Sequence, residues 1–286
     1  MRTRNVLAGA VLALFLAACT TTDQADLSGM TFSDAPLTGK VIWNDLITED
    51  IVAAKAFYGG LFGWTFENVT RDNVDEYVVA RLDDRIVAGI LSTDARSDED
   101  VSRWLPYMSV NDVDVAVNQS VAAGATVAAA ARSVDLGRAA VIIDPEGAVI
   151  GLVRSRIGDP DDLTTSAAPG RVVWSELLSS DPAAAAAFYR GLAGLDVELI
   201  NRRGGQYTIL SANGVRRGGI LERPNDQIEP VWLTYFGVSD PAAAAAKAAS
   251  LGGTVMVAPS PEVREGAMAI VTDPAGAVLV LQKTPI

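Results

Sequence analysis

The chain carries one pattern twice. Trp43-Asn44-Asp45-Leu46, Asp50, Ala56-Phe57-Tyr58, Leu61 and Gly63 return as Trp174-Ser175-Glu176-Leu177, Asp181, Ala187-Phe188-Tyr189, Leu192 and Gly194. Tyr77 and Gly89-Ile90-Leu91 return as Tyr207 and Gly219-Ile220-Leu221. Asp112, Gly124 and Asp144-Pro145 with Gly147 return as Asp240, Gly252 and Asp273-Pro274 with Gly276. The offset drifts only between 128 and 131 residues, so insertions are few and fall between structural elements. A duplication this even requires a unit small enough to fold twice within 286 residues, and ordinary domains need roughly 100–150 each. The boundaries follow: a first domain over 38–156, a polar linker over 157–169 rich in Asp, Pro, Thr and Ser, and a second domain over 170–286.

Each copy divides again. Val41 to Thr48 is β-branched and aromatic enough for a strand, and Asp50 then caps a helix carrying Ala53, Ala56, Phe57 and Leu61 at helical spacing. Two strands follow, Tyr77 to Leu82 and Arg85 to Leu91, around Asp83-Asp84. The order then recurs: a strand through Tyr107 to Val110, an Asp112-capped helix, and strands over 139–143 and 148–154 joined by the Asp144-Pro145-Glu146-Gly147 turn. Strand–helix–strands, four times over, predicts an α+β protein with helices on one side of curved mixed sheets. The alanine runs Ala183 to Ala187 and Ala242 to Ala246 read as thin surface helices, and Phe57-Tyr58 and Phe188-Tyr189 as helix packing.

The first 18 residues have a different purpose. Arg2 and Arg4 precede an apolar run from Val6 to Leu16, and Leu16-Ala17-Ala18-Cys19 closes it. This is the layout of a signal peptide, and it resembles a bacterial lipobox in which the cysteine is lipidated at the new N-terminus. Cys19 is the only cysteine in the chain, so no disulfide framework competes for it. Residues 19–37 then read as a lipidated, flexible tether. Thr20, not Asp, follows the cysteine. In a bacterium with two membranes that pattern implies the outer membrane, on its periplasmic side. The formal net charge of −12 repels phosphate backbones, which argues against a nucleic-acid partner.

The ordered set of Asp50, Phe57-Tyr58, Leu61-Phe62-Gly63-Trp64, Val110-Asn111-Asp112-Val113-Asp114, Gly124-Ala125-Thr126-Val127 and Asp144-Pro145-Glu146-Gly147 resembles the vicinal oxygen chelate superfamily. That superfamily includes glyoxalase I, extradiol dioxygenases and the fosfomycin and bleomycin resistance proteins. The resemblance implies two βαβββ modules per domain shaping a cupped sheet around a substrate, and two domains packed as an intramolecular pseudo-dimer within a monomer. It also implies a metal ligand seven positions before each helix-capping Asp, and a Glu four residues after the turn glycine. Those positions hold Trp43, Leu105, Trp174 and Leu233, and Gly151 and Val280. None has a donor, and the chain has no histidine. No metal and no other cofactor is therefore expected.

Strand alternation puts Asp45, Tyr107, Glu176 and Tyr235 on the same faces as those positions. The candidate ligand-binding residues are thus Trp43, Asp45, Leu105 and Tyr107 in one cup, and Trp174, Glu176, Leu233 and Tyr235 in the other. Arg81 is a further candidate, as a partner for Asp45. Apolar walls with a few convergent polar groups suit a small molecule; the same residues could equally fill the space with no ligand. Nucleophilic catalysis has no histidine base, free thiol or serine elbow to support it. The expectation is an envelope lipoprotein that binds a small molecule, leaning away from an enzyme. Two alternatives stand beside it: a metal-independent isomerase or lyase with Asp45 or Glu176 as base, and a non-catalytic module for an envelope protein partner.

Overall fold

A computed structural model describes residues 30–69, 77–83, 85–93, 102–134, 137–162, 168–202 and 205–284. The segment expected to be a signal peptide, Cys19 and the start of the expected tether lie outside these residues. Among them, no helix is long and apolar enough to cross a membrane.

Four modules follow one another. The first is β1 (Val41–Thr48), α1 (Ile51–Phe62), β2 (Thr65–Val69), β3 (Tyr77–Leu82) and β4 (Arg85–Ser92). The second is β5 (Arg103–Ser109), α2 (Val113–Ala122), β6 (Thr126–Val134), β7 (Gly137–Ile143) and β8 (Val149–Ser155). The third is β9 (Val172–Ser179), α3 (Pro182–Ala193), β10 (Asp196–Arg202), β11 (Gly205–Ala212) and β12 (Val215–Glu222). The fourth is β13 (Val231–Val238), α4 (Pro241–Ser250), β14 (Thr254–Val257), β15 (Met268–Thr272) and β16 (Val278–Lys283). Each helix starts where its aspartate accepts from amides of the first turn: Asp50 from Ala53 at 2.8 Å, Asp112 from Val115 at 3.0 Å, Asp181 from Ala184 at 3.0 Å and Asp240 from Ala242 at 2.9 Å. Gly63 and Gly194 end α1 and α3 in the left-handed conformation, at φ 77° and 65°.

The first two modules form an eight-stranded sheet ordered β2-β3-β4-β1-β5-β8-β7-β6, and the last two form its counterpart, β10-β11-β12-β9-β13-β16-β15-β14. Parallel pairs β1–β4 and β5–β8 flank the antiparallel β1–β5 seam where the modules meet, and β9–β13 is the equivalent seam in the second domain. The edge strands β2, β6, β10 and β14 were not picked out from sequence. β10, exposed along nearly its whole length, shows why: it has no buried face to impose alternation.

Each sheet has a cup face and a back face. The back faces and all four helices pack between the domains, α1 on α4 and α2 on α3. One core joins Met108, Ile142 and Leu152 of the first domain to Leu177, Tyr189 and Trp232 of the second; the other joins Leu46, Phe57 and Trp104 to Phe236, Val271 and Leu281. Burying each such large side chain stabilises the fold by about 1.5–3 kcal/mol. The expectation of thin surface helices fails here. Ala185 and Ala186 of α3 and Ala245 and Ala248 of α4 are buried in these shared cores, where a small side chain lets helices approach closely.

Polar ties cross the same interface with pseudo-twofold symmetry. Tyr58 donates to Asp273 at 3.1 Å and accepts from Trp104 at 3.0 Å; Tyr189 donates to Asp144 at 2.8 Å and accepts from Trp232 at 2.8 Å. The same aspartates shape the proline turns, Asp144 accepting from the amides of Glu146, Gly147 and Ala148. One tie has no counterpart: Glu146 accepts from Ser179 at 2.5 Å, from Ser180 and from the Asp181 amide at 2.8 Å, fixing the start of α3. The expected connectors are also anchored where described. Asp159, fully buried, accepts from the Leu37 amide at 2.6 Å and Ser109 at 2.5 Å, so the end of the tether and the start of the linker lie side by side.

Candidate functional site

The cup faces meet no helix, so their floors are the central seams. In the first seam Trp43 pairs with Tyr107 and Asp45 with Leu105. In the second, Trp174 pairs with Tyr235 and Glu176 with Leu233. All eight candidate residues therefore lie together in two groups of four, as period-two alternation requires. The intervening residues point backwards: Leu46 and Leu177 join the inter-domain cores.

Among the described residues the first cup is closely packed. Asp45 is completely buried and accepts from Trp43 Nε1 at 2.8 Å and Tyr77 OH at 2.9 Å. Tyr107 is equally buried, and burial followed by the nearby Asp45 carboxylate pushes its phenol well above the ordinary tyrosine range. Among the described residues, a space of about 10 Å³ lies beside Tyr107, Ala129, Arg132 and Val141. Arg81 bonds Glu67 at 2.9 Å across the β2–β3 pair, while Asp45 takes hydrogen bonds from a tryptophan and a tyrosine.

The second cup is open. A cavity of about 250 Å³ is lined by Trp174, Arg202, Tyr207, Ile209, Arg216, Tyr235, Arg264 and Gln282. Its carboxylate, Glu176, is 1% exposed and accepts from Tyr235 OH at 2.5 Å and Arg264 Nη2 at 2.6 Å. Trp174 Nε1 donates to Tyr207 OH at 3.0 Å. Burial, then Glu176, raises the phenols of Tyr207 and Tyr235. Burial is the largest single influence on Arg264 and opposes its charge, but Glu176 and the Tyr235 and Tyr207 oxygens beside it together push the guanidinium above its ordinary value. Arg264 reaches Glu176 from a short 3₁₀ turn in which both it and Glu265 are left-handed, at φ 46° and 56°. Such a conformation costs a non-glycine residue about 1 kcal/mol or more, and strain of this kind gathers at functional sites.

Sequence reasoning missed Tyr77 and Tyr207 as cup residues, although a signal was present. Each faces a recurring glycine, and a Cβ on Gly89 or Gly219 would collide with the phenol oxygen of Tyr77 or Tyr207. Arg216 and Arg264 left no such trace: Ile86 stands where Arg216 does, and Arg264 comes from an irregular turn.

The residues do not fit the metal that the resemblance implies. Trp43, Leu105, Trp174, Leu233 and Val280 offer no side-chain atom that ligates a metal, and the space a glutamate would need at Gly151 is filled by the Tyr107 ring, against which a Cβ there would clash. Each cup holds one central carboxylate, already bonded by phenol, indole or guanidinium groups. Among the described residues no three Cys, Asp or Glu side chains come together as metal ligands would.

Comparison with known proteins agrees with this architecture. Residues 42–153 match the family described as glyoxalase-like domain, and residues 171–281 match the glyoxalase/bleomycin resistance protein/dioxygenase superfamily. The chain is 36% identical over 248 residues to a protein of Mycobacterium bovis named "Putative glyoxylase CFP32", covering 85% of this chain and 94% of that one. It is 30% identical over 257 residues to the anthracycline biosynthesis protein DauV of a Streptomyces species, covering 84% of this chain and 91% of that one. Among solved structures, the Mn(II)-bound glyoxalase from Novosphingobium aromaticivorans superimposes with a TM-score of 0.58 at 18% identity, covering 87% of this chain and 83% of that one. With two such domains in tandem and relatives matched over almost their whole length, the chain belongs to the glyoxalase/bleomycin resistance/dioxygenase superfamily, also called vicinal oxygen chelate.

Proposed function

We propose that this protein binds a small organic molecule in the cup of its second domain, without a metal, while the first domain serves as its structural partner. The observation that carries this is the asymmetry of the cups among the described residues: about 250 Å³ of aromatic and polar-lined space in the second against about 10 Å³ beside Tyr107 in the first. An engineered cavity of about 150 Å³ is enough to take up benzene, so the second cup has room for a substituted ring.

The alternatives fare less well on the same geometry. A base must reach a substrate proton, and Asp45 lies fully buried in a cup with no room for one. Glu176 lies behind Tyr235 and Arg264, which line the cavity, and its two oxygens already accept from them. A pure interaction module gives no reason to keep one cup open. The names of the relatives point to small-molecule metabolism, which suits the binding reading without choosing a substrate.

The test is a thermal-shift and native mass-spectrometry screen of the full chain with aromatic and antibiotic compounds. A hit is expected to raise the melting temperature, to survive dialysis against a chelator, and to disappear in Ile209→Trp, which fills the cup. No hit in a folded protein, binding that Ile209→Trp leaves unchanged, or a stoichiometric metal removed together with binding would each sink the reading. We further propose export and lipidation at Cys19, with residence in the outer membrane where there is one. Lipid-label incorporation lost in Cys19→Ser supports that, and retained incorporation overturns it.

A further inference from the structure

We propose that the second cup takes an aromatic carboxylate, a single ring or fused pair bearing a carboxylate, in preference to a neutral or cationic compound. This rests on the binding reading above and adds the chemical class of the ligand.

The polar inventory of the cup is the first argument. Its one carboxylate is used up: Tyr235 holds one oxygen of Glu176 and Arg264 the other. The charged groups that remain are cationic. Arg202 and Arg216 both line the cavity, and among the described residues neither has a carboxylate partner. This chain holds 35 acidic residues against 23 basic ones, so arginines find counter-charges easily. Two of them left without one at the mouth of a single cavity form a local positive field in an otherwise acidic protein. A guanidinium matches a carboxylate in plane and spacing and binds it through two parallel hydrogen bonds.

Shape is the second argument. Trp174, Tyr207 and Tyr235 give the cup three aromatic walls. The Arg202 guanidinium lies 4.3 Å over the Tyr207 ring, and Arg264 lies 5.3 Å over Tyr235, so the cations are held against the walls and leave the middle clear. A flat ring is the natural occupant of such a slot.

The third argument is internal. In the first domain Arg81 faces Ile86 across the β3–β4 pair, while in the second Ser211 faces Arg216 across β11–β12. Ile86 thus stands where Arg216 does, and Val153, paired with Ser109, stands where Gln282 does. The filled cup is apolar at these positions; the open cup is cationic and hydrogen-bonding.

The probes are 2-naphthoate, 2-naphthamide and 2-naphthylmethylammonium, titrated into the full chain by calorimetry with tryptophan fluorescence as a second readout. The expected result is naphthoate bound at least about tenfold more tightly than the amide, and the ammonium weakest of all. Arg202→Gln with Arg216→Gln should weaken naphthoate about tenfold and leave the amide unchanged, and added salt should weaken naphthoate alone. Amide binding equal to naphthoate, or naphthoate binding indifferent to the two arginines, overturns the anion inference while the binding reading stands. Phosphate displacing naphthoate at equal concentration overturns the aromatic part. Three silent probes, in a chain that takes another compound from the wider screen, overturn the proposed class; silence throughout both experiments removes the binding reading with it.

Discussion

Removing Arg264 should cost far more than removing its partner. Glu176 is 1% exposed and Arg264 28%, with 2.6 Å between Nη2 and Oε2. At an effective dielectric of about 20 and a charge separation of about 4 Å, the attraction is about 4 kcal/mol. Breaking a buried pair by deleting one member costs about 3–5 kcal/mol, because the survivor stays buried and charged. The partial exposure of Arg264 places Arg264→Ala at the lower end, about 3 kcal/mol, or roughly 6–12 °C in melting temperature for a chain of this size. Glu176→Gln is milder, about 1–2 kcal/mol, since the stranded guanidinium can turn to water. Two further variants separate charge from backbone. Arg264→Gly should be about 1 kcal/mol less damaging than Arg264→Ala, because glycine accepts the left-handed φ of 46° without strain. Adding Glu176→Gln to Arg264→Ala should recover at least about half of the loss. Guanidinium denaturation of the full chain, followed by tryptophan fluorescence, measures all four. Equal costs for the two single variants, with no recovery in the double, would refute the claim that a desolvated ion pair organises this cup.

The inter-domain ties make a second prediction: Tyr189→Phe strands the Trp232 indole and one Asp144 oxygen, costing about 2–4 kcal/mol at neutral pH. Burial already raises Asp144 above its ordinary 3.8 and Tyr189 opposes that rise, so the penalty should shrink as pH falls and Asp144 takes up its proton. Gly219→Ala should destabilise by about 1–3 kcal/mol and perturb the binding proposed for the second cup, because the new methyl displaces the Tyr207 hydroxyl from Trp174; a neutral result in urea unfolding would contradict that packing. Five buried phenols, those of Tyr58, Tyr107, Tyr189, Tyr207 and Tyr235, are all raised above 10.0. A raised folded value gives stability that is intact below the unfolded value and lost above it. Stability should therefore fall as pH climbs past about 10, with tyrosinate absorbance appearing together with unfolding rather than before it.

The repeat made the fold legible. Aspartate caps, glycine stops and the alternation of Trp43, Asp45 and Trp174, Glu176 follow from local rules that hold wherever a helix begins or one strand face is buried. Strand alternation also brought all eight cup candidates to the right face. What it left open was whether a cup face is full, since that depends on volumes contributed by strands far apart in sequence: Tyr107 fills the first cup only because Gly151, on a neighbouring strand, has no side chain. The arginines of the second cup were hidden for another reason. Arg264 comes from an irregular turn, where neither periodicity nor repetition predicts where a side chain will point. The alanine helices misled in the same way, because alanine is a good helix former whether it faces water or another helix.

The first domain is indispensable even with its cup filled, because the hydrophobic cores do not respect the domain boundary. Each core takes one back face from each domain, so that Tyr189 and Trp232 are buried with Ile142 and Leu152, and Phe236 and Leu281 with Phe57 and Trp104. Cutting the chain in the linker would expose both faces at once, and each exposed large side chain forfeits about 1.5–3 kcal/mol of burial. A folded domain has only about 5–15 kcal/mol of net stability to lose. Residues 170–286 expressed alone should therefore fail to unfold cooperatively, or should dimerise through the uncovered helices α3 and α4. Adding residues 30–162 as a separate chain should restore a single transition. Cooperative unfolding of the isolated second domain as a monomer, at the melting temperature of the full chain, would show that the filled cup is a passenger rather than half of the frame that holds the open one.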